Sequence, residues 1–135
     1  MATIAAQDER LQAYAAYLQG EGYKPIVAEG MVSFKAEGRT YFVLVDADDS
    51  GYFQLVYPNF WTIESDVERR QALRCANEIT RSFKVAKVYL RADEGDVWAA
   101  IELFLAHPKD FELIFPRALR ALQGAGREFV EKMKQ

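Results

Sequence analysis

The chain has 135 residues, half of them apolar, 13% aromatic and 27% charged. That is enough to bury one core without disulfide or metal staples and too little for two folded halves, so a single domain over residues 1–135 is expected, and a disordered, collagenous or coiled-coil chain is excluded. Seventeen Lys and Arg against 20 Asp and Glu leave a formal net charge of −3, which supplies no general positive field for nucleic acid.

The opening MATIAAQDER lacks the basic and apolar regions of a secretory leader. No apolar run approaches the roughly 20 residues of a membrane-spanning helix. Cys75 is the lone cysteine and permits no internal disulfide. A cytoplasmic protein without membrane contact is expected. Helical spacing of Leu11, Tyr14, Ala15 and Leu18 predicts a first helix over 4–18, stopped by Gly20 and Gly22. Runs over 31–36 and 40–45 flank Glu37-Gly38, a turn with the glycine a hairpin needs, and predict two antiparallel strands. An acidic turn from Asp46 to Gly51 leads to a third strand over 52–57, which Pro58 ends by removing a ladder donor. Ser65 and Glu68 have the spacing of a capping box. Behind them Val67, Ala72, Leu73, Ala76, Ile79 and Phe83 make the apolar stripe of a second helix, with Arg69, Arg70, Arg74, Glu78 and Arg81 outside it. Runs over 85–91 and 97–105 predict another hairpin around Asp93-Glu94-Gly95. Pro108 opens a last helix reaching Met133, with Phe111, Phe115, Leu119, Leu122 and Phe129 inward. Pro116 is expected to kink that helix or detach its first turns, and Gly124 and Gly126 to weaken it. The order α-β-β-β-α-β-β-α predicts an α+β fold, a five-stranded antiparallel sheet carrying helices.

The stretch from Arg74 to Leu105, RCANEITRSFKVAKVYLRADEGDVWAAIELFL, resembles the YbjN family of small bacterial proteins. It shares a helix ending in a Cys/Ala-x-Asn-Glu segment, an aromatic, a lysine-flanked strand, an acidic-Gly hairpin and a long apolar strand. Family members often carry a second Asn three residues after the first, where this chain has Thr80. The family resembles the type III secretion chaperones in fold, which implies a dimeric, non-enzymatic scaffold that binds protein.

Candidate chemistry has a structural explanation at each point. His107 is the only histidine, so a histidine-based metal site or a catalytic triad would rest on it alone; before Pro108 it reads as a residue at a helix start. Cys75 has Arg74 beside it but no base within the pattern, and reads as a small core residue. Asp46, Asp48, Ser50 and Gly51 match the first half of a calcium-binding EF-hand loop, yet Tyr57 stands where the bidentate Glu belongs, so turn geometry is the better account. Glu94 and Asp96 around Gly95 make a second acidic tip of the same kind. No phosphate-binding glycine loop occurs. The arginines of the second helix alternate with Asp66, Glu68 and Glu78, as on a self-paired solvated face. No metal or cofactor is expected.

The strands carry the stronger signal. A half-exposed antiparallel sheet alternates apolar and polar residues, whereas here Tyr52, Val56, Tyr89, Trp98 and Phe104 add apolar side chains to the second face. If helices cover only one face, an aromatic patch is left for a partner, either a second copy or a protein client; if they cover both, nothing stays exposed. Phe60 and Trp61 are expected in the connection after the third strand, where they plug the core or form a ligand lip. Glu102 is a lone carboxylate in an apolar strand, either ion-paired with Lys87 or Arg91 on the neighbouring strand or buried as a base. Two readings follow. The first is a non-enzymatic, homodimeric protein-binding scaffold with Tyr52, Phe60, Trp61, Tyr89, Trp98, Glu102 and Phe104 as its partner-binding residues; the second is a small-ligand receptor or enzyme with a pocket near Phe60, Trp61 and Glu102.

Overall fold

The computed structural model describes residues 2–91 and 95–135, with side chains from Glu9 onward. The hairpin residues Asp93 and Glu94 therefore lie outside the described residues. In chain order the elements are α1 (Ala2–Gly20), β1 (Ile26–Ala28), β2 (Met31–Ala36), β3 (Arg39–Leu44), β4 (Tyr52–Thr62), α2 (Asp66–Ser82), β5 (Ala86–Arg91), β6 (Asp96–Phe104) and, after a 3-10 turn at Pro108–Asp110, α3 (Phe111–Met133). The six strands form one antiparallel sheet in the order β1-β2-β3-β4-β6-β5. The α+β class is as expected; the sheet has six strands where five were expected. The extra strand, β1, pairs with β2 from Ile26↔Ser33 to Ala28↔Met31. Its three residues are all exposed, too short and too polar in surroundings to show a period of two. A turn signal did exist, because Glu29-Gly30 repeats the Glu-Gly pair of the next hairpin and Gly30 has φ 72°.

The chain divides into two compact units, one of Met1–Leu55 with Glu102–Pro116 and the other of Val56–Ile101 with Arg117–Gln135. In the first, α1 ends in a left-handed glycine cap: Gly22 has φ 94°, its amide donates to Gln19, and Tyr23 donates back to Leu18 at 2.9 Å. The helix buries Leu11, Tyr14 and Leu18, with Tyr14 edge-on to Phe111 at 4.6 Å and to Phe53 at 6.3 Å. The β2–β3 hairpin turns through Glu37 (φ 53°) and Gly38 (φ 78°), both positive as a two-residue turn of this twist requires. It points Val32, Phe34, Tyr41 and Val43 into the core.

In the second unit, Ser65 caps α2 by accepting from the Glu68 amide at 3.1 Å, while the Glu68 carboxylate reaches one residue further back to the Glu64 amide at 2.7 Å. The buried stripe of α2 is Ala72, Cys75, Ala76 and Ile79. Val67 and Leu73, expected inward, are 67% and 53% exposed. The reason is close approach: Thr80 Oγ1 accepts from the Val88 amide at 2.9 Å, a distance between helix and strand that favours small residues on the facing side.

Pro58 does not end the third long strand; β4 runs on to Thr62. Backbone bonds Leu105→Gly51 and Ile63→Gly95 close its ladder with β6, and the Gly51–Ile63 stretch is two residues longer than Gly95–Leu105. A bulged strand absorbs such an excess, and Asn59 at φ 37° marks it. Pro58 beside it sits where a missing amide is tolerated. Pro116 leaves α3 continuous, because the carbonyl it strands belongs to exposed Glu112 in the first turn. Gly124 and Gly126 serve packing: a Cβ on Gly126 would meet the Tyr57 ring at 2.7 Å, and one on Gly124 the Phe83 ring at 3.4 Å.

Candidate functional site

Strand alternation sets which side chains form the candidate surface. On β4, Phe53 and Leu55 are fully buried, so Tyr52 and Gln54 face the other way, opposite Glu102 and Phe104 of β6. Tyr52 and Phe104 bring their rings to 5.8 Å, and Phe104 is 79% exposed. Between them Gln54 Nε2 donates to Glu102 Oε2 at 2.9 Å, and the Tyr52 hydroxyl also hydrogen-bonds the Glu102 carboxylate. Burial, that hydrogen bond and the negative charge of Glu102 push the Tyr52 phenol up to about 12. A neutral phenol and a neutral amide thus hold one carboxylate on the sheet face. Further along the first unit, Ser33 opposite Phe42 and Met31 opposite Leu44 occupy outward positions that are half-buried.

The second unit carries its own aromatic ladder. Tyr89 stands opposite Trp98, the Arg91 guanidinium lies 4.5 Å from the Trp98 ring centre, and Lys87 Nζ lies 5.3 Å from that of Tyr89. Cations over aromatic faces are attracted by the negative face of the ring. Phe60 and Trp61 are not in a loop: they belong to β4 and pack on Phe129 of α3 at 5.5 and 6.1 Å. Tyr57 stacks on Phe60 at 4.6 Å. These rings act as core plugs, one of the two expected roles. The expected site residues accordingly fall into three groups: Tyr52 with Glu102 and Phe104, Tyr89 with Trp98, and Phe60 with Trp61.

Cys75 is buried, and burial followed by the Glu78 carboxylate raises its thiol pKa, the opposite of an activated nucleophile. His107 is exposed and precedes the 3-10 turn. In the acidic turn, the Asp48 amide donates to Asp46 Oδ1 at 2.9 Å and the Gly51 amide to Asp49 Oδ1 at 3.2 Å. The carboxylates bind their own loop, as turn geometry predicts. Among the described residues no three His, Cys, Asp or Glu side chains converge as a metal site. No helix among them is long and apolar enough to cross a membrane.

Two buried charged residues escaped sequence reasoning, Arg10 and Asp96, the latter 7% exposed at the start of β6 and not on a solvated tip. Arg10 is 8% exposed, with Nη2 donating to the Asp46 carbonyl at 2.8 Å and Nη1 to that of Asp49 at 3.3 Å. Its position one before Leu11 and four before Tyr14 put it on the buried stripe, but a charged residue at the stripe's edge reads as solvated. It lines a cavity of about 480 Å³ with Glu9, Tyr14, Ser50, His107 and Lys109. A second cavity in the same unit, about 530 Å³, is lined by Tyr23, Ile26, Phe34 and Lys35. No protein-family model, curated protein or solved structure matches the chain.

Proposed function

We propose that this chain is a non-enzymatic, cytoplasmic protein-binding scaffold of YbjN and type III secretion chaperone-like type, chaperone-like or regulatory in role, working as a homodimer. It would offer apolar sheet or helix surface to a protein partner. The observation that supports this reading is Phe104, 79% exposed on a regular strand with its ring tilted against that of Tyr52. Large aromatic side chains left on a sheet face are the residues that anchor interfaces. The Gln54–Glu102–Tyr52 hydrogen bonds beside it supply the polar element that fixes orientation in such contacts. Exposed Val67 and Leu73 on α2 add a separate apolar helix surface.

The test is molar mass by light scattering over a concentration series for the wild type, Phe104→Glu and Trp98→Glu, each with circular dichroism. A dimer of the 15.4 kDa chain that Phe104→Glu converts to a folded monomer is the expected result. A wild-type monomer at every concentration would overturn the homodimer, and a dimer indifferent to both substitutions would overturn the sheet face as its interface.

A further inference from the structure

Buried Arg10 poses a problem in charge. Taking a guanidinium out of water is costly unless a counter-charge accompanies it. Among the described residues no carboxylate lies within ion-pairing distance of Arg10. The acidic turn that Arg10 reaches directs Asp46 Oδ1 and Asp49 Oδ1 to loop amides and offers the carbonyls of the same two residues to the guanidinium. Its Nε is buried with no acceptor.

That side chain forms part of the wall of the cavity of about 480 Å³, a volume within the range of small-molecule sites. The cavity is chemically two-ended. Ser50, His107 and Lys109 join Arg10 as donors and positive charge, while Ala13, Tyr14, Pro108 and Phe111 supply an apolar wall. Tyr14 and Phe111 meet edge-to-face at 4.6 Å, which holds that wall rigid. Glu9, also on the lining, disfavours a doubly charged ligand. A planar fork of donors suits a carboxylate.

We propose that this cavity binds a small organic monocarboxylate, its carboxylate against Arg10 and its apolar body over Tyr14 and Phe111. The site is independent of the scaffold reading and lies wholly within the first unit. The anion supplies the missing counter-charge, and the 3-10 turn at Pro108–Asp110 sets His107 and Lys109 along the lining.

Titration calorimetry with benzoate and with hexanoate, and with inorganic phosphate as the comparison anion, tests it on the wild type, Arg10→Gln and Ala13→Trp. Arg10→Gln also loses the bonds to the acidic turn and is the variant liable to unfold. Ala13 is an exposed position on α1, so Ala13→Trp obstructs the cavity while leaving the fold intact. Saturable binding of either acid to the wild type, weakened at least about tenfold in Ala13→Trp and in folded Arg10→Gln, is expected from the loss of a charge-assisted hydrogen bond and of apolar contact. No saturable binding of either acid, binding that Ala13→Trp leaves unchanged, or phosphate bound as tightly as the acids would each overturn the proposal.

Discussion

Tyr52 and Phe104 meet with tilted rings at 5.8 Å with Phe104 79% exposed, whereas Phe60 and Trp61, further along the strand that carries Tyr52, close on a fully buried Phe129. Both clusters are aromatic and both sit on β4. What separates them is what lies over the rings. In the second unit α3 supplies Phe129 and, at Gly126, a gap into which the Tyr57 ring fits; in the first unit the partners of Tyr52 are a strand neighbour and a carboxylate. Aromatic content of a strand therefore does not tell interface from core. The presence of a helix with a matching gap does.

The largest expected effect lies on the sealed side. Phe129→Ala removes the ring on which Phe60 and Trp61 pack and is expected to cost about 3–5 kcal/mol, against less than about 0.5 kcal/mol for Phe104→Ala on the open side. Denaturant midpoints at unchanged slope measure both, and equal costs would erase the comparison.

A smaller effect tests the gap itself. Alanine at Gly126 gains about 1 kcal/mol of helix propensity, but its Cβ would stand 2.7 Å from a Tyr57 ring that Phe60 holds from behind. Overpacking of about 1–3 kcal/mol makes the change destabilising on balance. In a Tyr57→Ala background the same substitution should stabilise, a sign reversal that a double-mutant cycle reads directly. Destabilisation in both backgrounds would mean that the ring is not the obstacle.

The smallest effect concerns the open side and alkaline pH. The Tyr52 phenol is raised from 10.0 to about 12, so the folded state favours the neutral form. The resulting stability is fully present below pH 10 and is lost as pH rises through about 12. Glu102→Gln removes the carboxylate charge while desolvation stays, so ultraviolet titration should show the Tyr52 phenol moving part of the way back toward 10. An unmoved titration would show that Glu102 does not govern it.

Most of the frame was legible before the structure. Ser65 with Glu68 located the start of α2, Gly22 the end of α1, and Glu37-Gly38 a two-residue turn, because each depends on backbone chemistry within a few residues. Pro58 misled for the opposite reason: whether a strand tolerates a proline depends on the ladder beside it, and the two-residue excess of β4 over β6 is invisible in one strand alone. The same holds for Val67 and Leu73, which the helical period alone placed inward. Small Ala72, Cys75 and Ala76 face the core instead, since the Thr80–Val88 contact brings helix and strand close.

Local chemistry in the chain determined the class, the element order and the turns, because propensity and capping act at short range. Tertiary structure alone decided which aromatics are sealed, what Glu102 meets and that Arg10 is buried against the carbonyls of the acidic turn. Those outcomes depend on residues far apart in the chain, Tyr57 with Gly126, Gln54 with Glu102 and Arg10 with Asp46, and no local period reports on pairs so distant in sequence.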